Sequence, residues 1–215
     1  MPRLKLHVVE RTDFLKFLDP TADGTGLFVP GTIAAQPGDK VSVEVVFQGG
    51  PRVLLSGVVA WRRISGDART RAGSGVQIEP GEQTKLDYVF GYVRGGLLDA
   101  REKRRLPVRL RVAYSGARGR RINFTRDINE EGAFVRAHEL LEVGAHTVLL
   151  ISPPGPYKPI QIKATVMRQQ DAPGDRGFGV RFDFDTSTER AKILAFVDKL
   201  ESDYLEGQLP DDALL

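Results

Sequence analysis

Short runs of alternating apolar and polar residues recur along the chain, separated by turns that contain glycine and proline. The run VLLSGVVAW begins at Val53, and the run IQIKATVMR begins at Ile160. Alternation with a period of two predicts β-strands that bury one face, and segments such as QPGDK and SPPGP predict the turns between them. The pattern therefore predicts a mainly β protein.

The same landmarks occur twice in the same order, which indicates a tandem duplication. Gly26 begins GLFVPGTIAAQPGDKVSVEV and Gly132 begins GAFVRAHELLEVGAHTVLLI, while Gly73 begins GSGVQIE and Gly177 begins GFGVRFD. Each half ends in a helical pattern, TKLDYVFGYV or TERAKILAFVDKL, and the landmarks are shifted by 104 to 107 residues. Self-similarity at a fixed period is the mark of repeated structural units.

Evenly spaced short strands in each half predict two tandem small antiparallel β-barrels, each closed by a C-terminal α-helix, because closure removes the exposed sheet edges. We predict a first barrel over residues 1–95, a connection over 96–105, a second barrel over 106–205 and a mobile tail over 206–215. The second helix should pack through a single apolar stripe. Its predicted members are Ile193, Leu194, Phe196, Val197 and Leu200.

Positive charge is concentrated in one segment. The chain carries a formal charge of +3, yet residues 101–121 hold nine basic residues and one acidic residue, so the rest of the chain is negative. A basic footprint confined to one segment favours a small anion over general nucleic-acid binding. Cysteine is absent, so disulfides and thiolate sites are excluded. With no signal-like N-terminus or long apolar run, we expect a cytoplasmic protein without membrane insertion.

The residues of this segment suit a guanine nucleotide. Arg101 and Arg105 lie four apart and can present forked donors to phosphate oxygens. Downstream, Asp127, Asn129 and Gly132 form D-x-N-x-x-G between two predicted strands. A carboxylate can accept from the N1 and amine edge of guanine, an Asn side chain can bond to base or backbone, and glycine permits close backbone approach.

These motifs resemble the PilZ domain family, whose members receive cyclic di-GMP through R-x-x-x-R followed by D/N-x-S-x-x-G at the start of a strand. The resemblance covers about residues 101–203 and implies a PilZ-like split barrel whose site is formed by Arg101, Arg105, Asp127, Asn129 and Gly132, with Arg104 as an auxiliary contact. Asn129 stands where the family usually has Ser. A rival R-x-x-x-R, Arg105 with Arg109, would place Arg109 on an outward strand position.

The first half resembles a degenerate copy. Its counterpart of DINEEG is TADGTG, with Thr21 aligned to the Asp127 position and Asp23 aligned to the Asn129 position, and no R-x-x-x-R precedes it. We therefore expect the first half to keep the fold without the ligand and to serve docking or dimerisation.

Other chemistry-bearing residues have simpler interpretations. Arg118, Arg120 and Arg121 read as a solvated hairpin tip, and Trp61 as a core or barrel-rim residue. The histidines lack a third neighbouring ligand, so no metal site is expected. No nucleophile, base and oxyanion donor are grouped together, so neither catalysis nor a cofactor is expected.

The expected function is a cyclic di-GMP-binding regulator that changes the arrangement of its two halves and signals through protein contacts in motility or cell-surface regulation. The alternative is a PilZ-like adaptor that no longer binds the nucleotide and acts as a protein-interaction module in motility or polarity. The expected partners are cyclic di-GMP and an unidentified protein. A homodimer is one assembly that this would allow, and no nucleic acid is expected.

Overall fold

The computed structural model describes residues 1–19, 25–31, 35–66, 71–94, 105–116, 119–155 and 158–214. The chain divides into two units, Met1–Glu102 with Leu205–Gly207, and Lys103–Tyr204 with Gln208–Leu215. Residues 95–104 lie outside the described residues, so the predicted connection over 96–105 stays a prediction.

The first unit forms, within its described residues, a six-stranded sheet in the order β1-β4-β5-β6-β3-β2. Its strands are β1 (Arg3–Val8), β2 (Leu18–Asp19), β3 (Gly26–Pro30), β4 (Lys40–Phe47), β5 (Arg52–Arg63) and β6 (Gly73–Ile78), and its helix is α1 (Gln83–Arg94). Short 3-10 helices span Arg11–Phe17 and Pro80–Glu82. Alternation along β5 buries Val53, Leu55 and Val59 on one face, as the sequence pattern predicts.

The second unit forms a closed barrel in which the described strands follow the order β10-β11-β12-β9-β8-β7, with β10 pairing back to β7. These strands are β7 (Arg111–Gly116), β8 (Gly119–Asn129), β9 (Gly132–Arg136), β10 (His146–Ser152), β11 (Ile160–Ala172) and β12 (Asp175–Asp183). They are followed by α2 (Ser187–Leu205) and a 3-10 helix, Asp211–Ala213. The prediction of a mainly β chain with a barrel and a C-terminal helix is confirmed.

Strand pairing shows the internal repeat at single-residue register. Phe28 of β3 lies opposite Gly75 of β6, and Phe134 of β9 lies opposite Gly179 of β12. The long strands β5 and β11 each carry a bulge against the following strand, so that Trp61 lies opposite Gly75 and Arg168 lies opposite Gly179. The two halves therefore share their pairing pattern as well as their sequence landmarks.

The first sheet differs from the predicted antiparallel barrel in being a curled half-barrel with one parallel pair, β1 with β4. The chain between β1 and β2 is the 3-10 helix Arg11–Phe17, so only Leu18 and Asp19 pair with β3. In the second unit, β8 reaches both β7 and β9 and completes the closure. In the first unit, the 3-10 helix Arg11–Phe17 stands in the place of a longer paired strand and buries Phe14, whose ring lies 5.7 Å from that of Phe47.

The two cores differ at one equivalent position of β6 and β12. Phe178 of β12 is buried and meets Tyr114 edge-on at 5.3 Å, and Asn123 donates to the Tyr114 hydroxyl at 2.8 Å. Burial raises the pKa of Tyr114 above its ordinary value. In the first unit the same position is Ser74, which is fully buried, and its Oγ has no hydrogen-bond partner among the described residues.

Helix α2 packs through a narrower stripe than predicted. Ile193, Phe196, Val197 and Leu200 are buried, whereas Leu194 is 46% exposed. Successive residues of an α-helix are rotated by about 100°, so Leu194 turns away from the face that Ile193 buries. The stripe is confirmed apart from this residue.

The C-terminal segment packs against the second unit, in contrast to the predicted mobile tail. Leu209 and Ala213 are buried, and the backbone N–H of Arg109 donates to the carbonyl oxygen of Ala213 at 2.9 Å. Burial of two apolar side chains and a satisfied backbone donor hold this segment in place. Across the part of the chain that is described, no helix has the length and apolar character needed to cross a membrane.

Candidate functional site

The candidate site lies where the backbone before β7 meets the end of β8. Leu106 and Ile128 exchange backbone hydrogen bonds of 2.7 and 3.0 Å, and both side chains are buried. This bridge fixes the backbone on either side of it. It places Arg105, the residue before Leu106, next to Asp127, the residue before Ile128.

Asp127 is the centre of the charged cluster. Its Oδ1 accepts a hydrogen bond from Nε of Arg105, and its Oδ2 accepts one from Nε of Arg126 at 2.9 Å. The Asp127 side chain is only 12% exposed, while that of Arg105 is 36% exposed. A carboxylate that accepts from two guanidinium groups in a partly buried setting orients both of them through charge-assisted bonds.

Arg126 reaches this cluster because β8 carries a bulge between Thr125 and Asp127. A bulge inserts an extra residue and re-aims its side chain. Besides Asp127, Arg126 binds Oδ2 of Asp175 through Nη1 at 2.7 Å. The other oxygen of Asp175, Oδ1, is buried and has no hydrogen-bond partner among the described residues.

The Phe134 ring contacts two guanidinium groups. The guanidinium carbon of Arg126 lies 3.8 Å from the ring centroid, and that of Arg168 lies 5.5 Å from it. Both distances fall within the range of cation–π contacts. The glycines opposite leave room for this arrangement: a Cβ at Gly177 would lie 2.8 Å from the Phe134 ring, and one at Gly179 would lie 3.0 Å from the Arg168 side chain.

The turn between β8 and β9 is organised by Asn129. Its Oδ1 accepts from the backbone N–H groups of Glu131 at 3.1 Å and Gly132 at 2.9 Å, and the side chain is buried. This is the local side-chain-to-backbone bonding by which Asn stabilises tight turns. A serine hydroxyl could also accept at this position, so the exchange of Ser for Asn keeps the turn chemistry.

Gly132 is required by the neighbouring strand. A Cβ at this position would lie 2.1 Å from the backbone oxygen of Val180 in β12 and 3.1 Å from its carbonyl carbon. We expected glycine here to permit the approach of a ligand. The close contact lies instead with the backbone of β12.

The corresponding place in the first unit holds an aromatic pair. Asp19 of β2 pairs with Gly26 of β3, as Asn129 of β8 pairs with Gly132 of β9, and the alignment of Thr21 and Asp23 with the motif stays a prediction. Thr21 and Asp23 themselves lie outside the described residues. The half-buried Trp61 indole stacks on Phe28 at 5.7 Å, and its Nε1 donates to Oδ2 of Asp19 at 2.7 Å.

Four of the six predicted site residues are described, and the structure brings them together: Arg105, Asp127, Asn129 and Gly132. Arg101 and Arg104 lie outside the described residues. Arg109 of the rival motif is exposed and faces away, with its guanidinium 3.8 Å from the Phe124 ring. No group of metal-ligating side chains occurs among the described residues.

Sequence reasoning missed Arg126, Phe134, Arg168 and Asp175. Arg126 directly precedes Asp127 in TRDINEEG, so its adjacency was a signal, but strand alternation would turn its side chain away from that of Asp127. Arg168 and Asp175 belong to the β11–β12 hairpin. Their approach to β8 and β9 depends on strand pairing that no local motif records.

Comparison with protein families gives one match. Residues 99–199 match the model of the PilZ domain, slightly less than half of the chain. A search of curated proteins finds no match.

The chain is similar to several solved structures at low sequence identity. One is the Bacillus subtilis inhibitor of motility, MotI/DgrA, at 14% identity, covering 84% of this chain and 85% of that one, with a TM-score of 0.41. Another is Escherichia coli YcgR in complex with cyclic di-GMP, at 11% identity, 89% and 70% coverage and a TM-score of 0.42. A third is MrkH of K. pneumonia, described as a cyclic di-GMP-dependent transcription regulatory factor, at 11% identity, 88% and 87% coverage and a TM-score of 0.36.

Proposed function

We propose that the protein binds cyclic di-GMP and acts as a regulatory receptor rather than an enzyme, because residues 99–199 match the model of the PilZ domain. The observation that carries this proposal is the cluster in which Asp127 holds Arg105 and Arg126 beside the Asn129–Gly132 turn. Two oriented guanidinium groups beside a partly buried carboxylate offer donors for phosphate and an acceptor for a guanine edge.

The phosphates would be bound by the arginines. Arg105 is partly exposed and has one donor, Nε, engaged with Asp127, so its remaining N–H groups can reach a phosphate oxygen. Arg101 precedes Arg105 by four residues in the sequence and would supply the second guanidinium group for phosphate, with Arg104 as an auxiliary contact. Arg126, which binds the other oxygen of Asp127, adds positive charge to the proposed site.

The guanine edge would be read by Asp127 through an exchange of partners. In the described arrangement its Oδ1 accepts from Arg105. When a phosphate competes for the Arg105 donors, that carboxylate oxygen becomes available to the N1 and amine groups of guanine. Phosphate binding and base recognition would thereby be coupled through a single ion pair.

Signalling would follow from the position of the arginines near the predicted connection over residues 96–105. A ligand shifts a conformational equilibrium only through its different affinity for the two states. Ligand held by Arg101 and Arg105 would favour one arrangement of the two units and so expose or cover a surface for a partner protein, with motility or cell-surface regulation as the proposed outputs. We also propose that the protein acts in the cytoplasm.

A second candidate function is an adaptor that does not bind the nucleotide. It is favoured by the engagement of the acceptor atoms: both oxygens of Asp127 bind arginines, and Oδ1 of Asn129 binds the turn. In that case the cluster would serve the stability of the barrel, and the protein would act through protein contacts alone.

Isothermal titration calorimetry with cyclic di-GMP separates these candidates. The receptor should bind saturably at micromolar or lower concentrations, and Arg105→Ala should weaken binding at least tenfold. Arg190→Ala is the matched control, because Arg190 is an exposed arginine of α2 in the same unit, and it should bind as the parent does. Absence of binding at millimolar ligand would reject the receptor and favour the adaptor.

The expectation that no nucleic acid binds stays a prediction. A gel shift with duplex DNA, with and without cyclic di-GMP, tests it. A shift that persists at physiological salt would contradict the expectation, because purely electrostatic binding falls steeply as salt rises.

A further inference from the structure

The outer face of strands β7, β8 and β9 carries a surface that the proposed nucleotide site does not use. Strand pairing places Arg111 beside Phe124 and Phe124 beside Arg136, and it places Ala113 beside Ile122. Ile122 is 49% exposed. Phe124 is therefore flanked by an arginine on each neighbouring strand, and Ile122 lies two residues away on the same face of β8.

The cations of this face lack acidic partners. We define the arginine face as Arg109, Arg111, Arg120 and Arg136 with the apolar residues Ile122 and Phe124. All four arginines are exposed, and no ion pair joins them to an acid within the described part of the chain. Their neighbour Arg121, by contrast, binds Glu139 at 2.9 Å. Four uncompensated charges around an exposed apolar centre call for an anionic partner.

We propose that the arginine face binds an acidic segment of a partner protein. Protein interfaces combine an apolar centre with enriched aromatic and arginine residues, and arginine is frequent among their energetic hot spots. Single-stranded nucleic acid fits less well, because it needs free aromatic faces for stacking. Phe124 is the aromatic member of this face, and Arg109 already covers its ring at 3.8 Å.

The chain's own C-terminal segment lies at one margin of this surface. Asp211 and Asp212 are exposed, and the segment that they belong to lies against Arg109 at the margin of the face. The backbone N–H of Arg109 donates to the Ala213 oxygen at 2.9 Å, and its Nη1 donates to the Asp212 oxygen at 3.4 Å. Both acceptors are backbone carbonyl oxygens, so among the described residues this segment lies at the margin without neutralising the arginine charges through its carboxylates.

The spacing of the arginines sets the spacing of acids in the partner. Arg111 and Arg136 lie two strands apart, which corresponds to roughly 10 Å, and an extended chain spans that distance in about three residues. Because successive side chains of an extended chain point to opposite sides, a segment of the form Glu-Ser-Leu-Ser-Glu presents both acids and the leucine on one side. Its acids, about 13 Å apart, are within reach of the long side chains of Arg111 and Arg136, and its leucine lies over Phe124.

The test uses a fluorescein-labelled synthetic peptide with a Glu-Ser-Leu-Ser-Glu core, titrated with the full chain at low salt and followed by fluorescence anisotropy. We expect saturable binding that the double variant Arg111→Ala/Arg136→Ala weakens at least fivefold. Arg190→Ala removes an exposed arginine elsewhere in the same unit and should leave peptide binding unchanged. A core in which Gln replaces both glutamates should bind more weakly to the parent protein.

Several outcomes would overturn the proposal. The first is that the peptide does not bind, and the second is that it binds the double variant as tightly as the parent. The third is that duplex DNA or phosphatidylserine vesicles bind the parent but not the double variant, while the peptide binds neither. Cyclic di-GMP titration of the same variant should be unchanged, since Arg111 and Arg136 lie outside the proposed nucleotide site. Failure of the peptide test is therefore distinguishable from failure of the nucleotide proposal.

Discussion

Replacement of Gly132 by alanine tests whether the last residue of D-x-N-x-x-G serves the fold or the ligand. The added Cβ would lie 2.1 Å from the Val180 oxygen, and real Cβ atoms essentially never approach another atom so closely. The obstacle is backbone in a paired strand, so β9 and β12 would have to separate by about 1 Å. Overpacking of this kind costs about 1–3 kcal/mol.

The position of Gly132 adds to this cost. Its N–H donates to Asn129, and it pairs with Arg181 of β12, so a shift weakens both the turn and the edge of the ladder. We expect a total loss of about 3 kcal/mol of unfolding free energy when a weakened hydrogen bond is added to the overpacking. For a domain of this size such a loss lowers Tm by about 10–20 °C.

Thermal and urea unfolding of Gly132→Ala measure the effect, and Gly179→Ala is the matched control. The three atoms nearest to a Cβ at Gly179 all belong to the Arg168 side chain, at 3.0 Å or more, and that side chain can shift, so the variant should stay within about 1 kcal/mol of the parent. Equal stability of Gly132→Ala and the parent, with loss of cyclic di-GMP binding alone, would refute the structural role.

Three further predictions concern other parts of the molecule. Asp127→Asn should lower the unfolding free energy by about 1–3 kcal/mol in urea titrations, because Arg105 and Arg126 lose a shared and partly buried counter-charge; an unchanged midpoint would contradict this. Ser74→Ala should raise stability by about 1 kcal/mol, because it removes a buried hydroxyl without a described partner; a loss of more than that amount would show that the hydroxyl is bonded. Deletion of residues 208–215 should destabilise the chain by about 2–3 kcal/mol, since it exposes the surface that Leu209 and Ala213 cover; calorimetric unfolding at an unchanged Tm would contradict it.

Local pattern was sufficient for the repeated strands and for part of the site. Alternation along β5 and β11, and the glycines within β6 and β12, reflect contacts between neighbouring strands, so these contacts are visible in the sequence. The approach of Arg105 to Asp127 was predictable from the two motifs, because the family pattern ties one to the other. The motifs predicted that Arg105 and Asp127 lie close together, but they could not predict which atoms form hydrogen bonds with each other.

The remaining features depend on interactions that local pattern does not encode. β1 pairs in parallel with β4, and the chain that follows β1 forms a 3-10 helix that buries Phe14 rather than a long strand. Arg126 joins the cluster only through a bulge, which breaks the alternation used to assign side-chain direction. The C-terminal segment was predicted to be mobile because its sequence lacks periodicity. It packs against the second unit through the buried side chains of Leu209 and Ala213 and a backbone hydrogen bond from Arg109, which no periodic pattern encodes.

Comparison of the two units separates what the fold requires from what a ligand would require. A Cβ at Gly73 would lie 2.5 Å from the Val29 oxygen, and one at Gly177 would lie 2.2 Å from the Val135 oxygen. The paired glycines are therefore required in both units by strand packing, and G-x-G cannot by itself indicate a nucleotide site.

The two units differ in chemistry at the bulges of the long strands β5 and β11. Where Arg168 places a guanidinium 5.5 Å from Phe134, Trp61 stacks an indole on Phe28, and that indole satisfies its N–H with Asp19. The neutral indole of Trp61 has its single N–H bonded to a carboxylate and leaves no donor for a phosphate, whereas the guanidinium of Arg168 on the equivalent ring provides several donors and a positive charge. The residue at this bulge, more than the glycines or the aromatic ring, distinguishes the unit that we propose to bind an anion from the unit that we expect not to.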